Sequence, residues 1–278
     1  MIGGAAAVVF AGTPWRKLGR GPIRPWRFRP ITGITTFLLA LLSGMIVSVA
    51  AAKWQAINLA DASIVDLLPV MLMAWAAQLS VVACLPLIRN WIELSDMGTD
   101  RRMPRRGAVC PDRRPSRLYA ACVGVIGLLL FWPMTHAVAR IGAMAHEWFT
   151  GEAPSQIAHG TLQQLIDAPP DAGAWAAAIS IAILPSVVEE VLYRGLLQES
   201  LRRARLLHRG THWHAVILTS LIFTAMHVGA VDNHALMALF VLSLGFGWAY
   251  ARTGRLTASI TMHVGFNAGN IVLAVPWI

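Results

Sequence analysis

Three short segments in the second half of the chain carry the residues whose types and spacing can do chemistry. SVVEEVLYRG, residues 186–195, sets Glu189 beside Glu190 and places Arg194 four residues after Glu190. FTAMH pairs Phe223 with His227, and HVGFN pairs His263 with Asn267, each again four residues apart. On an α-helix that spacing puts both members of a pair on one face. Glutamate N-terminal to arginine is the favourable order for an ion pair, so Arg194 can hold Glu190 ionised. Glu189 lies about 100° further round the helix and faces something else. A carboxylate with an imidazole can take a proton from water. An imidazole and a carboxamide one turn apart can point hydrogen-bonding groups at a common centre. Glutamate and two histidines are equally the donor set of a zinc site with an open position. Taken singly, each feature has a bland explanation: a packed core histidine, an asparagine bridging two helices, a structural ion pair. Their joint occurrence in three successive segments is what points to function. His136, His146, His159, His208, His212, His214 and His234 fall near segment ends and loops and carry no assigned role.

These groups are set in apolar surroundings. The chain has 278 residues, 56% hydrophobic and 13% charged, with a mean hydropathy of +0.57; about 25% charge is usual in a soluble domain. Apolar runs of bilayer-crossing length recur at 31–52, 67–88, 118–139, 173–198, 212–230, 235–250 and 257–275. The expected fold is therefore all-α, a polytopic transmembrane helix bundle of about seven spans. A charged side chain at the centre of such a span costs roughly 2.5–3.5 kcal/mol, and an ionisable group there reads as functional by default. If seven spans alternate, 21 of the 23 Lys and Arg residues fall on one side, leaving Lys53 and Arg140 on the other. The positive-inside rule makes the rich side, and the N-terminus with it, cytoplasmic. That explains the pI near 10.7 without a nucleic-acid partner. The first twenty residues are apolar and then basic, the reverse of a signal peptide. The three cysteines form no CxxC pair, so neither a disulfide framework nor a zinc ribbon is expected. AHEWFTG starts like HExxH but has Thr150 where the second histidine belongs, and no GxSxG elbow occurs.

The ordered set EExxxR, FxxxH, HxxxN on late membrane helices resembles the CPBP family, the Abi or type II CAAX prenyl endopeptidase group of intramembrane proteases. The resemblance covers about 173–275, and no motif in the first 172 residues joins it. It implies that Glu189 activates water with His227 assisting, that His263 and Asn267 stabilise the oxyanion, and that Glu190, Arg194 and Phe223 support them. With the spans and basic loops, the expected division is a basic cytoplasmic segment (1–30), an N-terminal transmembrane region of three spans and a basic loop (31–172), and a catalytic transmembrane region (173–278). No cofactor is expected; if zinc takes part, its ligands are Glu189, His227 and His263. The implied partners are the bilayer and a membrane-associated protein or peptide, lipidated in the family's best-known substrate class, and the expected location is a bacterial inner membrane. Two other classes stay open. A proton-coupled transporter could use the same groups as a relay, although the chain has no inverted repeat. A membrane scaffold or immunity protein could keep the fold without catalysis.

Overall fold

The computed structural model describes residues 28–58, 62–88, 115–155, 157–204 and 213–274. Among these, every regular element is helical. The chain runs through α1 (Pro30–Trp54), α2 (Ile64–Ala83), α3 (Arg117–Thr150) and the short α4 (Gly160–Ile166). Next comes α5, a continuous helix over Ala172–Arg203. It is α-helical over Ala172–Glu189, π-helical over Glu190–Gln198 and α-helical again over Glu199–Arg203. Helices α6 (Trp213–Ala225), α7 (Leu236–Thr253) and α8 (Leu256–Ala274) complete the bundle. The basic stretches that set the expected orientation, in 1–30, most of the 89–117 loop and the 205–212 connection, lie largely outside the described residues.

Helix starts follow from local chemistry. Ser63 and Asp66 form a reciprocal capping box at α2, Ser116 Oγ accepts from Tyr119 N–H at 3.0 Å at α3, and Asp171 accepts from Ala174 N–H at 2.8 Å at α5. Each satisfies backbone donors that a helix N-terminus leaves unpaired. Gly151 and Gly254 end α3 and α7 in left-handed conformations, with φ of 73° and 68°.

Five helices among the described residues are long and apolar enough to cross a bilayer: α1, α2, α3, α5 and the stretch Asn233–Thr253 that contains α7. The bundle expected from sequence is present, but with five such helices rather than about seven. Helix α6, expected to span 212–230, has 13 residues and stops at Ala225. At 1.5 Å per residue that is about 20 Å, against a hydrocarbon core of about 30 Å. Helix α8 has 19 residues but carries His263, Asn267 and Asn270, which lower its apolar character. Helix α3 overruns its expected end at 139 and continues to Thr150.

Packing gathers the motif-bearing helices. Helix α8 packs on α3, α5 and α7, and α7 packs on α3 and α6. The approach of α3, α7 and α8 depends on small residues, as is usual where lipid removes a hydrophobic drive between helices. A Cβ on Gly245 would sit 2.6 Å from Met262 Cε and 2.7 Å from Phe131 Cγ. A Cβ on Gly124 would collide with the Ala258 carbonyl oxygen. A second cluster, including Phe37, Tyr193, Leu196 and Phe223, joins α1 to the π-helical stretch of α5.

Candidate functional site

The centre of the site is Arg194. It and Glu190 are both fully buried, and Arg194 Nη1 donates to Glu190 Oε1 at 2.9 Å. Its Nη2 donates to the Ser243 carbonyl at 3.1 Å and to Ser243 Oγ at 2.7 Å. The guanidinium lies 4.9 Å from the ring centroid of Phe223 and 5.2 Å from that of Phe246, a cation–π slot that suits arginine better than lysine. One side chain therefore ties α5 to α7 and, through Phe223, to α6. The residues that carry this are Ser243 and Phe246 on α7, where no sequence motif pointed. Their only sequence signal is a serine three residues before a phenylalanine in an apolar helix.

Glu190 has a second partner on α8. His263 Nδ1 lies 3.0 Å from the same Oε1. A carboxylate oxygen only accepts, so His263 carries a proton on Nδ1. Its ring stacks on Phe246 at 4.4 Å with 20° between planes, and its Nε2 is turned toward Glu189 Oε2 at 3.9 Å. That separation is too long for a direct hydrogen bond and is of the size a shared water bridges. Glu189 keeps 25% of its side chain exposed, and its carboxylate makes no hydrogen bond among the described residues. The two adjacent glutamates are thus sharply different: one locked, one open.

His227 departs from the helical placement the sequence suggests. Helix α6 ends at Ala225, and His227 N–H donates to the Thr224 carbonyl rather than to that of Phe223. The Phe223 carbonyl is taken instead by the His227 ring, with Nδ1 at 2.7 Å. The histidine thus serves the end of its own helix, a known use of such side chains. Because a carbonyl only accepts, Nδ1 is the protonated nitrogen, and Nε2 of the neutral ring is free to accept a proton. The ring lies 4.4 Å from Phe223, whose centroid is 6.3 Å from His263. Phe223 links His227 to the cluster; no hydrogen bond or ion pair joins His227 to Glu189 or His263 among the described residues. Asn267, one turn beyond His263, donates from Nδ2 to Ser186 Oγ at 3.1 Å.

A further histidine comes from the start of α4. His159 bridges antiparallel to Val231. Gly160 N–H donates to the Ala230 carbonyl at 3.2 Å and Asp232 N–H to the Ala158 carbonyl at 2.9 Å. This clip holds the segment before α4 against the turn that carries His227. Burial, and then repulsion from His227, lower the His159 pKa below its usual value. Nothing in the sequence marks it, since the pairing joins residues more than seventy positions apart.

Among the described residues no group of three His, Cys, Asp or Glu side chains is placed to hold a metal ion. The set Glu189, His227 and His263 is not such a group as arranged. The orienting partners on Nδ1, Glu190 for His263 and a carbonyl for His227, would serve metal ligands and hydrogen-bond donors alike.

The chain is thus a polytopic α-helical membrane protein whose late helices gather carboxylate, imidazole and carboxamide groups. Within it, residues 171–269 match the family model described as Rce1-like, type II CAAX prenyl endopeptidase Rce1-like. That matched segment contains all three motifs, and a match to this family supports a CAAX protease-like hydrolase in a membrane. No curated protein and no solved structure matches the chain.

Proposed function

We propose that the chain is an intramembrane endopeptidase in which Glu189 activates the water that attacks a peptide carbonyl. The observation that carries this is the asymmetry of the glutamates: Glu190 is fully buried and held by Arg194 and His263, whereas Glu189 is 25% exposed beside His263 Nε2. Glu189 takes a proton from water as the water oxygen bonds to the carbonyl carbon. The carbonyl oxygen becomes an oxyanion, stabilised by N–H groups of Asn267 and, with both ring nitrogens protonated, of His263. Collapse breaks the C–N bond, and the proton passes to the leaving amine. His227, with Nε2 free to accept, assists Glu189 from the α6 turn. Glu190, Arg194 and Phe223 hold the donors in place.

The substrate we infer is a membrane-associated protein or peptide, with a lipidated C-terminus as the first class to test. The basic distribution supports an N-terminus on the cytoplasmic side of a bacterial inner membrane. The decisive assay uses the purified full chain and two internally quenched peptides ending in a CAAX sequence, one prenylated and one not. Cleavage by the wild type and none by Glu189→Gln is expected, unchanged after exhaustive chelation. Equal cleavage by Glu189→Gln would refute the assignment of the base. Loss of activity on chelation, restored by zinc, would refute the metal-free mechanism.

A further inference from the structure

The helix that carries the two glutamates also faces the proposed oxyanion donors, and it does so at two levels. Ser186 and Glu190 are four residues apart on α5, and His263 and Asn267 are four apart on α8. The contacts pair Ser186 with Asn267 and Glu190 with His263. The two helices therefore run antiparallel, with matched polar pairs one turn apart. Glu190 is part of the recognised motif. Ser186 lies outside it.

We propose that Ser186 is a positioning residue that fixes the orientation of the Asn267 carboxamide for oxyanion binding. This rests on the reading of Asn267 as an oxyanion donor. Ser186 is fully buried, and its hydroxyl donates to the Ala182 carbonyl at 2.9 Å. A hydroxyl has one proton and a carbonyl has none to give. Toward Asn267, therefore, Ser186 Oγ can only accept, and the carboxamide must present Nδ2, at 3.1 Å. Turned over, Oδ1 would meet an oxygen with no proton between them, a buried clash of acceptors. The amide thus has one allowed orientation. Nδ2 carries two protons; Ser186 takes one, and the other remains for the oxygen of the reacting carbonyl. The chain from the Ala182 carbonyl through Ser186 to Asn267 transmits the rigid geometry of α5 to a side chain on α8. Precise placement of a donor is what makes it effective in the transition state.

The test is a double-mutant cycle on the full-length protein in detergent, with the quenched prenylated CAAX peptide as probe. Asn267→Ala is expected to lower kcat about 100-fold. Ser186→Ala is expected to lower kcat about tenfold with KM changed less than about twofold, because an interaction made only in the transition state is weakened. The double variant is expected to match Asn267→Ala alone, since Ser186 acts only through Asn267. Thermal midpoints are measured on the same four proteins, and the two substitutions should be non-additive there as well, which reports the hydrogen bond independently of activity. If Asn267→Ala is impaired but Ser186→Ala keeps wild-type kcat, or if the two losses multiply in the double variant, Ser186 is merely structural and the proposal fails. If Asn267→Ala keeps wild-type kcat, the oxyanion reading itself fails and takes the proposal with it.

Discussion

Two adjacent carboxylates differ here because one is buried against two cationic-capable partners and the other is left open. Glu190 shares one oxygen between Arg194 and His263, with no exposure to solvent. Removing one member of such a buried pair strands the charge of the other, at a cost of roughly 3–5 kcal/mol. Glu190→Gln and Arg194→Ala are thus expected to destabilise the fold by about that amount, seen as a clear fall in thermal midpoint in detergent. Glu189→Gln is expected to leave the midpoint near that of the wild type while lowering kcat by at least about 100-fold. A midpoint for Glu189→Gln as low as that for Arg194→Ala would show that both glutamates are structural.

At the scale of elements, the turn after α6 is the feature that shapes the site. Ending α6 at Ala225 frees the Phe223 carbonyl, His227 fills it, and the 158–160 segment clips the turn from outside. His159 in this clip has a folded-state pKa below the usual value of about 6.5. The folded protein therefore resists protonation that the unfolded chain accepts. The stability that His159 contributes is present above about pH 6.5 and is lost as pH falls through the lowered folded value. The thermal midpoint of the wild type should fall between pH 7.5 and 5, and His159→Gln should fall less over the same interval; equal slopes would contradict this. The α3–α8 contact gives a second expectation. Because a Cβ on Gly124 meets backbone rather than a movable side chain, Gly124→Leu should destabilise by about 1–3 kcal/mol and lower activity by displacing α8.

For the molecule as a whole, the question is which side of the membrane each end of α5 faces. In the proposed orientation Arg202 and Arg203 lie at the cytoplasmic end; both bond to Glu199. A reporter fused after Arg106 is expected to read cytoplasmic and one near Glu152 external. If both read the same side, the helix count between them is wrong. Helices α6 and α8, which bring His227, His263 and Asn267 to the site, are not among the five helices of the described residues that are long and apolar enough to span. Short or polar helices of this kind are tolerated at membrane depth when they are enclosed by others, as α8 is by α3, α5 and α7.

The sequence alone determined the class: apolar period and length specify a membrane bundle, and the order EExxxR, FxxxH, HxxxN singles out the residues now found between α5, α6, α7 and α8. It also determined the Glu190–Arg194 pair, because both members lie one turn apart and helix geometry is local. What it left undecided depends on contacts between segments distant in the chain. Ser243 and Phe246 around Arg194, Ser186 beneath Asn267, and His159 beside the His227 turn are ordinary residues in ordinary contexts until helices are packed together. The same holds for His227 itself, whose placement turns on where α6 stops. Only the tertiary structure decided that Glu190 rather than Glu189 would hold His263, since the two carboxylates are chemically identical and differ only in which neighbours the bundle brings to each.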